Sequence, residues 1–243
     1  MTCRLCKEDR SLRNSHIIPE FFYKPVYVSK HRLLARKSGK LVQGRPLQKG
    51  IREKLLCESC EQQLGRNEKY VSEMLFGGTE IVVQRFQNRL VLSNLDYAKV
   101  RLFFLSLIWR MSVASEHPVW KNVDLGRHED LIRQMVLNKN AGEPWQYGFL
   151  CMLPFFNGEC VTDWILEPDS VRSDWGRMYR LVVGGCVYLF HISNQRFPKQ
   201  MSDWLIKKDG SWVLSFKDAR KIPFIREEAI RLFEAMKSET RQG

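Results

Sequence analysis

The sequence is short of several things, and each shortage narrows what the protein can be. No apolar run is long enough to cross a bilayer: the longest, Val100 to Val113, is interrupted by Arg101 and Arg110, whereas a spanning helix needs about 20 residues. No basic-then-apolar leader opens Met1-Thr2-Cys3-Arg4, so a cytoplasmic protein without a membrane segment is expected. Internal repeats and low-complexity tracts are lacking too, which excludes a solenoid and a long flexible linker. Histidine is scarce, with five residues in all, so few positions could supply an imidazole base. Acidic residues are outnumbered, 27 against 39 Lys and Arg, for a net charge of +12. Residues 1 to 75 hold sixteen Lys and Arg against eight Asp and Glu, so most of the excess sits in that third, and a partner with a negative backbone is the first to consider.

What is present is an ordinary globular composition, 44% apolar and 27% charged over 243 residues, enough for one large domain or two small ones. The seven cysteines are not ordinary. Cys3-x-x-Cys6 and Cys57-x-x-Cys60 are two pairs at the spacing that lets two thiolates reach one face of a metal ion. Together they supply four soft ligands for a closed tetrahedral Zn²⁺ site. Zinc binding in small modules contributes roughly 10 to 16 kcal/mol, so the fold of the N-terminal quarter should depend on it. Cys151, Cys160 and Cys186 lie in apolar, strand-like surroundings and are read as buried free thiols in a reducing compartment.

Along the chain, His16 to Tyr23 reads as a short strand bending at Pro19, which has no amide donor and biases Ile18 to extended geometry. Residues 29 to 54 hold nine Lys or Arg and a single acid, Glu53. Glycines at 39, 44 and 50 divide them, which suggests an exposed hairpin or irregular loop. From Leu55 the pattern becomes helical, with the second cysteine pair in the first turn and a stop at Gly77-Gly78. Glu61 then projects from a helix N-terminus, where unpaired amides favour anions. Glu80 to Leu92, Asp96 to Glu116 and His128 to Leu137 are expected as helices, the second with a broad apolar stripe of Val100, Phe103, Phe104, Leu107, Ile108 and Met111, the last with Leu131, Ile132, Met135 and Val136 on one side. After Pro144 come strands at Tyr147 to Phe156, Cys160 to Leu166, Tyr179 to Val183 and Val187 to Ile192. Gly184-Gly185 and Asp209-Gly210 mark hairpin turns, the second between Trp204-Leu205-Ile206 and Trp212-Val213-Leu214. An amphipathic helix from about Pro223 closes the chain. The aromatics of the middle, Trp109 among them, are expected in the core.

Two cysteine knuckles, Ser15-His16-Ile17-Ile18-Pro19 between them, and Ile51-Arg-Glu-Lys-Leu-Leu-Cys57-Glu-Ser-Cys60-Glu61 resemble the zinc-stabilised HNH (ββα-metal, treble-clef) endonucleases over about residues 1 to 70. The resemblance implies His16 as the general base that takes a proton from water. It implies Glu61 as a ligand of a catalytic Mg²⁺ or Mn²⁺ that polarises the phosphoryl oxygen, with Ser15 as a second candidate ligand. Ser15 stands where the family often has an Asp, and Arg52 about where it has an Asn. Glu68 shares the face of Glu61 but lies about 10 Å along the axis and is read as structural. His31, His117, His128 and His191 lack such a context. Phosphates are expected to lie on Lys30, Arg32, Arg36, Lys37, Lys40, Arg45, Lys49 and Arg52, contacts that set affinity without selecting sequence.

The expected fold is α+β: a zinc-bound ββα-metal module over 1 to 78, then a domain over 79 to 243. That domain has helices at about 80 to 140, antiparallel strands at about 145 to 216 and a closing helix at about 223 to 238. The expected function is metal-dependent hydrolysis of nucleic acid, with DNA favoured by family habit, in a defence, restriction or toxin system. The alternative is a non-catalytic nucleic-acid-binding or adaptor protein that keeps the zinc knot. A protein partner or second copy is expected on the C-terminal region.

Overall fold

The computed structural model describes residues 1–23, 36–37, 40–41, 50–116, 122–157, 159–160, 166–173, 176–197 and 199–227. Its central element is the helix α2 (Tyr97–Val113), whose residues from Val100 to Met111 are all buried. The sequence reading gave this helix one apolar stripe. The structure surrounds it instead, as expected for a helix apolar on most of its circumference. Asp96 caps it, accepting from the Lys99 amide at 3.0 Å, and so satisfies one of the four donors a helix N-terminus leaves open. Helix α1 (Glu58–Phe76) packs on one side and α3 (His128–Leu137) on another. Both end as read from the sequence, α1 at Gly77 with φ of 90°.

A sheet of eight strands covers the rest of α2. In chain order these are β5 (Val82–Arg85), β6 (Arg89–Ser93), β7 (Phe149–Phe156), β8 (Glu159–Cys160), β9 (Leu166–Ser173), β10 (Gly176–Val183), β11 (Cys186–His191) and β12 (Trp212–Asp218). The spatial order is β5-β6-β12-β7-β11-β10-β9, with β8 beside β7. All pairs are antiparallel except β12 with β7. Gly184 and Gly185, at φ of 59° and 76°, turn β10 into β11, since only glycine takes two successive positive φ values without penalty. Phe104 of α2 meets Phe149 at 4.3 Å and Tyr188 at 4.8 Å between ring centroids. Phe103 reaches forward to Phe21 and Phe22. Trp109 and Trp212 are fully buried in the same cluster, which also takes in Cys3, Leu5 and Leu56. The N-terminal quarter is thus packed on the rest through one continuous apolar core, each buried large side chain contributing about 1.5–3 kcal/mol.

Several elements differ from the sequence reading. Residues 80–92, expected as a helix, form the β5/β6 hairpin, where β-branched Val82, Val83 and Val91 suit a pleated surface. Leu92 is buried against β12. The N-terminal strand is β1 (Leu12–His16), ahead of the residues expected, and Glu20–Phe22 is a 3₁₀ turn opened by Pro19. Leu55 to Cys57 belong to β4 (Arg52–Cys57) and not to the helix, which starts at Glu58. Trp204 to Ile206 pair with no strand; β12 finds its partners in β6 and β7. Cys160 is exposed, whereas Cys151 and Cys186 are buried as expected, and Leu131 faces outward. In the basic segment, β2 (Arg36–Lys37) pairs antiparallel with β3 (Lys40–Leu41), a hairpin as expected. Residues 223–227 are helical, and the remainder of the expected closing helix lies outside the described residues. Among the described residues no helix is long and apolar enough to cross a membrane.

Candidate functional site

Four sulfurs gather at the N-terminal end of α1. Cys3 and Cys6 lie in a turn in which the Lys7 amide donates to the Cys3 carbonyl at 2.9 Å, with Lys7 at φ of 64°. The Arg4 amide donates to the Leu55 carbonyl at 3.0 Å, which fastens this turn to β4. Cys57 is the last residue of β4 and the cap of α1, and Cys60 sits in the first helical turn. The Sγ atoms of Cys3, Cys6, Cys57 and Cys60 all lie within 4.8 Å of one another, and Cys6 Sγ is 3.9 Å from Cys57 Sγ. A tetrahedron with Zn–S bonds of about 2.3 Å has edges of roughly 3.8 Å, so the group could hold a metal such as zinc. No disulfide competes, since all seven cysteines are free.

Burial and mutual hydrogen bonds act on three of these thiols. Burial pushes Cys60 up, and the hydrogen bond with Cys57 pushes it further; burial likewise raises Cys6. Burial also acts upward on Cys57, but the Ser59 hydroxyl and the Cys60 amide outweigh it and bring that thiol down to about 6. A positive ion beside the thiols favours the thiolate forms of Cys6 and Cys60 against the burial that raises them. Outside the knot, Arg133 donates to the Leu5 carbonyl at 2.7 Å, tying the first turn to α3.

The Ser15-His16 pair lies at the end of β1, which runs antiparallel to β4 with Ser15 opposite Glu53 and His16 opposite Arg52. The two neighbours take different partners. Ser15 is fully buried and its hydroxyl donates to Glu61 Oε2 at 2.8 Å. Burial raises the Glu61 carboxyl above the usual range; Ser15 and the Arg110 charge oppose this, while Glu68 and Glu58 add to it. His16 turns to the β4 side, where Arg52 Nε donates to its Nε2 at 2.8 Å. The Arg52 guanidinium also lies 3.9 Å from Glu20. Beneath both residues, buried Arg110 donates to the His16 carbonyl at 2.9 Å and pairs with Glu68 at 2.7 Å. Glu53, also buried, accepts from the Ser115 amide at 2.9 Å.

Of the residues singled out in the sequence, the fold brings the four cysteines together, joins Ser15 to Glu61, and sets Arg52 on His16. Glu68 is occupied by an ion pair, in keeping with a structural reading. Arg36, Lys37 and Lys40 fall in the β2/β3 hairpin, while Lys30, Arg32, Arg45 and Lys49 lie outside the described residues, as do His31 and His117. His128 contacts the Tyr147 hydroxyl at 3.2 Å, away from this site. Arg110 escaped sequence reasoning as a member of the site. The signal for it was a charge inside an apolar run, which only a buried partner could explain. Comparison with protein-family models, with curated proteins and with solved structures finds no match for the chain.

Proposed function

We propose that the protein is an HNH-like, metal-dependent phosphodiesterase acting on nucleic acid, DNA before RNA, built on a zinc-stabilised treble-clef module. One observation carries the reading: the Ser15 hydroxyl meets the Glu61 carboxylate at 2.8 Å. The strand bearing the histidine therefore lies against the first turn of the helix that follows the second cysteine pair. A Mg²⁺ or Mn²⁺ ion would be held by Glu61 and the Ser15 hydroxyl, with substrate phosphate and water completing its shell, as this ion commonly is. When bound, that ion supplies Lewis-acid polarisation of the phosphoryl oxygen. The raised Glu61 carboxyl fits this role, because a cation beside it offsets the burial that disfavours its charge.

His16 then acts as the base. A water proton passes to the imidazole nitrogen, the water oxygen bonds to phosphorus, and the P–O bond to one sugar breaks with its electron pair. The released oxygen takes a proton from solvent, leaving a phosphate monoester and a free hydroxyl. The basic segment between the knuckles supplies phosphate contacts that steepen the salt dependence and add little sequence preference. Such a module fits a defence, restriction or toxin setting.

A second reading, a zinc-containing nucleic-acid-binding or adaptor protein without catalysis, draws on the neutral Ser15 at the metal position. Plasmid nicking with Mg²⁺ or Mn²⁺ separates the two. The nuclease reading expects cleavage by the parent and a loss of about 10²–10⁴-fold in His16→Ala, the range of general-base effects. A parent that binds DNA without cutting it leaves the second reading standing.

A further inference from the structure

We infer that Arg52 is a releasable cap on the His16 base, held in place in the free protein and drawn off by a phosphodiester. The inference rests on the phosphodiesterase reading and adds a control to that same site. A guanidinium has five N–H donors and no acceptor, so the 2.8 Å contact from Arg52 Nε requires His16 Nε2 to be the acceptor. The ring proton is then on Nδ1, and the lone pair that would take a proton from water is occupied. The strand register puts the contact in reach: His16 and Arg52 are direct cross-strand partners in β1 and β4.

The cap is weakly fastened on its far side. Among the described residues its ion-pair partner is Glu20, at 3.9 Å, on the 3₁₀ turn after Pro19, with half of its side chain exposed and a third of that of Arg52. An exposed pair at that distance contributes little. A phosphodiester offers two anionic oxygens that match the guanidinium fork in a bidentate ion pair, where the imidazole offers a single neutral lone pair. In the competition for Arg52 the phosphate therefore wins. Its arrival does two things together: it frees the His16 lone pair beside the scissile phosphate, and it moves the Arg52 charge onto the phosphoryl oxygens. Water is then deprotonated only when substrate is in place. Arg52 on this account is a positioning residue for His16 and a phosphate ligand in turn.

The test uses the full chain labelled with ¹⁵N-histidine, with His16 assigned by loss of its signal in His16→Asn, and two-bond ¹H–¹⁵N spectra recorded with and without a DNA duplex and without added divalent ion. Expected is a free protein locked in the Nδ1–H form, with the Nε2 resonance shifted by its hydrogen bond. On adding DNA, that resonance should move toward the position it takes in Arg52→Ala without DNA. The cap is overturned if Arg52→Ala leaves the His16 signals where they are in the parent. It is equally overturned if duplex binding, followed by gel shift on the same samples, does not occur or leaves Nε2 unmoved. Nicking by the same preparations with Mn²⁺ is scored separately. A parent that shifts Nε2 but never cuts keeps the cap and loses the hydrolase, while one that cuts with Nε2 unmoved keeps the hydrolase and loses the cap.

Discussion

The guanidinium of Arg110 lies 2.7 Å from the Glu68 carboxylate, and the same nitrogen donates to the backbone carbonyl of His16. Helix α2, helix α1 and strand β1 are thereby joined at one buried point, 2% exposed on the arginine side. Removing one member strands the other in a poorly solvated place. Arg110→Met is expected to destabilise the protein by about 3 kcal/mol, the lower end for broken buried pairs, and adding Glu68→Met should recover part of that loss. Urea unfolding of the two single variants and the double variant measures the coupling. Strictly additive losses would mean that the two residues do not act as a pair.

Glu61 gives a stability that depends on pH with a definite sign. Its folded-state carboxyl is raised, so its stabilising contribution is complete below the ordinary carboxylate range and disappears as pH rises through the raised value. Glu61→Gln keeps an acceptor for the Ser15 hydroxyl and carries no charge to bury. In divalent-free buffer it should melt above the parent at about pH 8 and level with it at about pH 4. Mn²⁺ should raise the parent and leave the variant unmoved. Equal melting temperatures at both pH values would remove Glu61 from the set of strained carboxylates.

For the cysteine knot, Cys60→Ser is expected to abolish zinc binding, from about one ion per chain to none, because a closed site tolerates no missing ligand. Since binding free energy in such modules is folding free energy, far-UV dichroism should show loss of the N-terminal structure. A chelator should do the same to the parent and nothing further to the variant. Full zinc content in Cys60→Ser, read by atomic absorption, would exclude the four-sulfur site.

Two glycines should respond in opposite ways. Gly210 sits at φ of 79°, and an added Cβ would come within 2.3 Å of the Leu95 carbonyl oxygen. Gly210→Ala is expected to cost about 2 kcal/mol or more, from strain and the displaced backbone. Gly65, inside α1, has no atom within 4 Å of the same addition. Gly65→Ala should add about 0.5–1 kcal/mol by reducing the freedom of the unfolded chain. Thermal melts of both decide it, and a stabilising Gly210→Ala would contradict the turn geometry.

Much of the frame could be read along the chain because its causes are local. The spacing of Cys57 and Cys60, the glycine pair at 184 and 185 and the apolar period of His128 to Leu137 each act within a few residues. The misread segments are those whose conformation is decided by a distant neighbour. Residues 82–93 hold valines that suit a strand, but it is the pairing with β12, where Leu92 is buried, that makes the hairpin evident. Trp204 to Ile206 look like a strand and are not one, because β12 takes β6 and β7 as its partners.

The sequence by itself determined that four thiols could close on one ion, that Ser15 and His16 lie in the chain between the two cysteine pairs, and that most of the excess positive charge falls in the cysteine-bearing third, since these follow from residue type and spacing. Only the tertiary structure decided what the histidine and its neighbour touch. A one-residue change in the β1/β4 register would exchange their faces, so the pairing of Ser15 with Glu61 and of His16 with Arg52 comes from the strand alignment and from Arg110 in the core beneath it.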